Sequence, residues 1–137
     1  MVIRVLLADD YEPFRREVRQ ILEDHRDIEV VAEASSGSEA IERATQVRPD
    51  VAVLDVRMQP VSGISAIPRI LERSPRTAVL MLSIHNDKHY VSRSIEFGAR
   101  GYLLKDSVEN ILVEAIRCVH RGQTFFDPEI VDYVPEP

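Results

Sequence analysis

Val2-Ile3-Arg4-Val5-Leu6-Leu7-Ala8-Asp9-Asp10 is a nearly continuous apolar run that stops on two adjacent carboxylates. Because it is apolar at successive rather than alternate positions, it reads as a strand buried on both faces, as in a parallel sheet covered by helices. The residues after it fit that reading. Phe14, Val18, Ile21 and Leu22 recur at i, i+4, i+7 and i+8, with Pro13 near a helix start. Ile28–Ala32 is a second short run, and Ser36-Gly37-Ser38-Glu39 matches a capping box. The helix it opens has Ala40, Ile41, Ala44 and Val47 on its apolar face, and Pro49 stops it. Val51–Leu54 is the third run, and it also ends on an acid, Asp55.

The alternation continues. Ile64, Ile67, Ile70 and Leu71 sketch a third helix, but Pro68 lies inside it. A proline in a helix interior costs about 3 kcal/mol, so a late start near Ser65 or a bend is expected. Ala78–Leu82 is the fourth run, and Asn86–Phe97, closed by Gly98, is a weakly amphipathic helix. Gly101–Leu104 is the fifth run. From Asp106 or Ser107 to Arg121, the residues Val108, Ile111, Leu112, Ala115, Ile116 and Val119 fall at core spacing, and Gly122 is the stop. The tail Gln123–Pro137 carries three prolines and no useful period, and reads as the start of a linker. Phe125 and Phe126 within it are read as packing on the domain.

Five apolar runs alternating with five helical patterns give a three-layer α/β/α domain over residues 1–122, followed by a tail over 123–137. The expected sheet is five-stranded and parallel, with the flavodoxin-like order 2-1-3-4-5. Length and composition agree with this. A chain of 137 residues with 45% hydrophobic residues fills one core without staples, and a lone Cys118 closes no internal bridge. No apolar run is long enough for a membrane span, and the N-terminus lacks the flanks of a signal peptide, so a cytoplasmic location is expected. With 17 Lys+Arg against 23 Asp+Glu, the domain lacks the charge of a direct DNA binder.

In such sheets ligands sit beyond the carboxyl ends of the strands, at the switch point between the first and third. That is where Asp9, Asp10 and Asp55 fall. Two unit charges about 4 Å apart repel by about 4 kcal/mol at an effective dielectric near 20, so the cluster needs a cation. Oxygen donors with no Cys or His beside them suit Mg²⁺. Ser83 ends the fourth run and Lys105 ends the fifth, which adds a hydroxyl and an ammonium. A carboxylate nucleophile, a metal site and a lysine are the parts needed to accept a phosphoryl group.

Leu6-Leu7-Ala8-Asp9-Asp10, Val53-Leu54-Asp55-Val56-Arg57-Met58, Leu82-Ser83 and Gly101-Tyr102-Leu103-Leu104-Lys105-Asp106, in this order and spacing, resemble a response-regulator receiver domain. The resemblance implies that Asp55 accepts phosphate from a phosphohistidine on a sensor histidine kinase. It further implies that Asp10, Asp55 and the backbone carbonyl of Arg57 hold Mg²⁺, with Asp9 acting through water. Ser83 and Lys105 would contact the phosphoryl oxygens, and Tyr102 would turn inward on activation. The domain would assist its own phosphorylation and dephosphorylation without being a turnover enzyme. Lys105-Asp106 and Gly122–Val131 resemble the LuxR/NarL-type subfamily, whose receivers precede a helix-turn-helix domain. DNA would then be met only through an output domain absent from these residues, and a homodimer would form through the fourth helix, fifth strand and fifth helix. The alternative is a single-domain or unphosphorylated receiver acting as an interaction module.

The chain departs from the family pattern in places. Gln59 stands between Met58 and Pro60, where proline usually follows the methionine directly, and Asp106 follows Lys105 where proline is frequent. Arg57 and His85, each two residues past a crevice residue, are expected to limit water access to a phosphorylated Asp55. His85 and His89 at i, i+4 lack a third metal ligand, and Arg15-Arg16-Arg19 reads as a solvated helix face. Two other classes fit less well. An aspartate-nucleophile phosphatase of the haloacid dehalogenase type needs a second acid where Arg57 stands, and Asp9-Asp10-Tyr11-Glu12 would repel the phosphate of a flavin.

Overall fold

The apolar runs form a single sheet in the computed structural model, which describes residues 1–135. The strands β1 (Ile3–Ala8), β2 (Ile28–Ala34), β3 (Val51–Asp55), β4 (Ala78–Ser83), β5 (Gly101–Leu104) and β6 (Phe125–Phe126) lie in the order β2-β1-β3-β4-β5-β6. Every pairing is parallel. β3, β4 and β5 are buried at each position, which is why their sequences show no alternation.

The helices are α1 (Glu12–Glu23), α2 (Gly37–Val47), α3 (Gly63–Arg73), α4 (Lys88–Glu96) and α5 (Val108–His120). Side chains pointing to one face of the sheet, such as Val5, Leu7, Val53 and Leu80, pack with Val18 and Leu22 of α1 and Leu112 and Ile116 of α5. Those pointing to the other, such as Leu6, Leu54 and Met81, pack with Ala40 and Ala44 of α2, Ile67 and Ile70 of α3 and Val91 of α4. The two clusters leave the carboxyl ends of β1, β3, β4 and β5 side by side at one rim.

Three expectations change. The sheet has six strands, because Phe125 and Phe126 pair with Gly101 and Tyr102 along the outer edge of β5. A two-residue strand has no period to read in a sequence. The tail also does not leave the domain at once. Asp127 N–H donates to the Tyr102 carbonyl at 2.9 Å, and its carboxylate accepts from Leu104 N–H at 3.1 Å, so edge groups of β5 are satisfied. A 3₁₀ turn over Pro128–Tyr133 then places Ile130, fully buried, in the same cluster as Val91 and Tyr102.

The third change concerns α3, which begins at Gly63 rather than near Ser65. Ser62 caps it by accepting from Ser65 N–H at 3.1 Å, and Gly63 N–H donates to the Val56 carbonyl at 3.0 Å. Pro68 is exposed inside the helix, while Ile64, Ile67 and Ile70 are buried. Burial of each isoleucine contributes about 1.5–3 kcal/mol, enough together to outweigh one lost backbone bond.

Replacing Ile130 with alanine tests whether the tail is part of the folded unit. Urea denaturation of Ile130→Ala is expected to show a loss of about 2–5 kcal/mol, as for a core position. A loss within about 0.5 kcal/mol, as at a surface site, would return the tail to a linker.

Candidate functional site

Parallel pairing in register brings the site together. Leu7 and Ala8 of β1 lie beside Val53 and Leu54 of β3, so the next residues, Asp9 and Asp55, meet at the rim. Asp55 in turn lies beside Leu82, one residue before Ser83, and Ser83 lies beside Leu104, one residue before Lys105. One ligand atom from each of Asp9, Asp10 and Asp55 lies within 4.8 Å of the others. Asp9 and Asp55 are buried and Asp10 is exposed at the mouth.

The turn after β1 fixes Asp9. Its Oδ1 accepts from Tyr11 N–H at 2.8 Å, and its carbonyl accepts from Arg15 at 2.7 Å. Its buried Oδ2 takes no hydrogen bond of good geometry and faces the Lys105 ammonium at 2.7 Å. The same Nζ lies 3.5 Å from Asp55. Burial, and next the charge of Asp9, push the Asp55 carboxyl up to about 6; Lys105 opposes this, Asp10 adds to it, and the Arg57 backbone N–H opposes it weakly. Three hard carboxylates, one atom of which lacks a good donor, fit a divalent cation.

A cleft of about 370 Å³ opens over this cluster, lined by Asp10, Tyr11, Asp55, Arg57, Ile84, His85 and Lys105. Residues 5–117 match the response regulator receiver domain family. The chain belongs to that family.

The receiver is 37% identical over 128 residues to the transcriptional regulatory protein DegU of Brevibacillus brevis, covering 93% of this chain and 54% of DegU. It is 36% identical over 129 residues to the oxygen regulatory protein NreC of Staphylococcus carnosus, covering 93% of this chain and 59% of NreC. It thus spans little more than half the length of these relatives. Among solved structures it superposes on a LuxR-family two-component response regulator from Aurantimonas sp. SI85-9A1 with a TM-score of 0.92 and 28% identity, covering 98% of this chain and 96% of that one. The receiver domain of NarL from Mycobacterium tuberculosis gives a TM-score of 0.85 at 34% identity, covering 89% and 98%. This is a receiver domain of a two-component response regulator of the LuxR/NarL type.

Four of the site residues read from sequence, Asp9, Asp10, Asp55 and Lys105, are in one cluster. Ser83 is fully buried, and its hydroxyl accepts from His85 N–H at 2.9 Å. The receiver already holds Tyr102 inward, wholly buried, with its phenol donating to the His85 carbonyl at 2.8 Å. Burial above all pushes that phenol up to about 12. Arg57 is exposed at the mouth. His85 and His89 do not share a helix, since α4 begins at Lys88, and the His85 ring instead meets Tyr90 edge-on at 5.5 Å. Arg15 and Arg19 reach across to Glu33 of β2, and Arg16 pairs with Glu12, so that face is paired as well as solvated.

The loop after Asp55 was the part least legible from sequence. Gly37 N–H donates to the Val61 carbonyl at 2.9 Å, and a Cβ at Gly37 would strike that carbonyl. A Cβ at Gly63 would strike the Asp55 carbonyl. These two close approaches hold the loop, whose Gln59–Pro60 peptide is cis and whose Val61 has φ of 65°. Phe14 is a site residue that sequence reading missed, because its spacing marked only the apolar stripe of α1; its ring lies against Lys105. Among the described residues no helix is long and apolar enough to cross a membrane.

The raised Asp55 carboxyl fixes a stability-versus-pH trend in metal-free solution. The folded chain holds this proton up to about pH 6, whereas an unfolded one loses it near 3.8. The group therefore stabilises at low pH, and that contribution is lost as pH rises through about 6, leaving a net penalty at neutral pH. With EDTA, Asp55→Asn is expected to be more stable than the parent by about 1–3 kcal/mol near pH 7.5, the gain vanishing near pH 4. Equal urea midpoints at neutral pH would contradict this.

Proposed function

We propose that this receiver is a Mg²⁺-dependent phosphoacceptor switch with Asp55 as the acceptor. The observation that carries the reading is the cluster of Asp9, Asp10 and Asp55, with one lysine ammonium 2.7 Å from the first and 3.5 Å from the last. An Asp55 carboxylate oxygen bonds to phosphorus, the P–N bond of a kinase phosphohistidine breaks, and the departing imidazole nitrogen takes a proton. Asp10, Asp55 and the Arg57 carbonyl are the residues to hold Mg²⁺, with Asp9 through water. The bound ion supplies charge that offsets the carboxylates and the phosphoryl oxygens.

The chain's own residues do the rest. Asp9 keeps Lys105 beside the acceptor, and Lys105 moves to the new phosphoryl oxygens as they form. Ser83 exchanges its bond from His85 N–H for one to the phosphoryl group. That release loosens the segment whose carbonyl holds Tyr102, and α4 repacks with it. α4 is suited to move, since only Val91 and Ser94 of it are buried. The face of α4, β5 and α5 then dimerises or releases an output domain that lies outside the described residues. By likeness to DegU and the LuxR-type regulators, that output is transcription through DNA binding, in the cytoplasm. The receiver proper ends near Gly122, and the tail from Gln123 is the packed exit toward it.

Incubation with acetyl phosphate and Mg²⁺ followed by intact mass is the test. The parent is expected to gain one phosphoryl group and Asp55→Ala none; no gain in the parent, or a gain in the variant, would sink the reading. Mg²⁺ should also raise the melting temperature by relieving carboxylate repulsion, with a smaller rise in Asp10→Asn. Arg57→Ala, which opens the mouth of the cleft, should shorten the lifetime of the phosphorylated form in a decay assay. An unchanged lifetime would defeat its assignment as a water barrier.

A further inference from the structure

Phe14 opens the apolar stripe of α1, and by spacing it is one core residue among Val18, Ile21 and Leu22. The fold gives it another neighbour. The Lys105 ammonium lies 4.4 Å from the centre of the Phe14 ring, within the range where a cation is attracted to an aromatic face. That ammonium also faces Asp9 at 2.7 Å and Asp55 at 3.5 Å, and the lysine side chain is 15% exposed. The charge thus sits between two carboxylates and one ring.

We infer that Phe14 is a positioning residue for phosphoryl transfer, its ring face holding the Lys105 ammonium between Asp9 and Asp55. The inference deepens the phosphoacceptor reading and rests on it. A lysine ammonium is strongly hydrated and rides on a flexible four-carbon stem, so on an open rim it would spend its time in water. The ring takes the place of water against the ammonium and attracts the charge while doing so. An aromatic face is also tolerant of sideways movement, unlike a hydrogen-bond acceptor, which would pin the ammonium to one place. Lys105 can therefore pass from Asp9 to oxygens forming on Asp55 without leaving the ring. A leucine would cover the same stem but would not attract the charge.

The composition makes the contact directly measurable. Lys88 and Lys105 are the only lysines, so the side-chain spectrum of the full chain carries two lysine Hε signals. Lys105 Hε is expected upfield of Lys88 through the ring current of Phe14, and to return on Phe14→Leu. With acetyl phosphate and Mg²⁺, Phe14→Leu should slow phosphorylation about fivefold, while Phe14→Tyr keeps the parent rate. Progressive fluorination of the ring at position 14 removes its attraction but keeps its shape. The rate should fall in step with fluorination at constant melting temperature, which a packing role would not produce. Matching lysine shifts overturn the contact, and a rate flat across the series overturns the positioning role alone. A parent chain that takes no phosphoryl group overturns the phosphoacceptor reading, and the role with it, while the shifts still decide the contact.

Discussion

Like charges crowded at the end of a parallel sheet are the constraint on which the rest of this structure depends. Asp9, Asp10 and Asp55 each present an oxygen within 4.8 Å of the others, two of them from buried side chains. Such a group is stable only with cations beside it. Lys105 is one, delivered from the carboxyl end of β5 and steadied by Phe14, and it does not suffice, because the Asp55 carboxyl still rises to about 6. The residual repulsion is an electrostatic tension the fold holds in place, and under the proposed function it is the source of affinity for a divalent ion and then for a phosphoryl group.

That tension is held by packing that does not yield. β3, β4 and β5 are buried on both faces, and the residues before each acid are locked in parallel register. The parts assigned to the switch lie to one side. α4 is lightly buried, Tyr102 is held by the His85 carbonyl, and the tail is tied to β5 through Asp127 on either side of Leu103. Asp127 therefore joins the exit of the domain to the strand that carries Tyr102 and leads directly into Lys105.

Much of this was legible in the sequence, for identifiable reasons. Continuous apolar runs specify strands buried on both faces, and acids placed directly after them fall at the rim wherever the strands pair. Asp9, Asp55, Ser83 and Lys105 could thus be placed from position alone. The helix start at Gly63 was not legible, since it is set by contacts of Gly63 with Val56 and Asp55 that no local pattern records. β6 was too short to show a period, and Ile130 is buried from within a short 3₁₀ segment of six residues. Phe14 was visible only as a core residue, because what stands over its ring arrives from a strand far along the chain.

The most direct test of the central claim is the chemical location of the phosphoryl group. An acyl phosphate is reduced by borohydride to an alcohol, which turns an aspartyl phosphate into homoserine. After treatment with acetyl phosphate and Mg²⁺, borohydride reduction and peptide mass mapping should find homoserine at position 55 and aspartate intact at 9 and 10. Homoserine at either neighbour in place of 55, or at none of the three, would contradict the account.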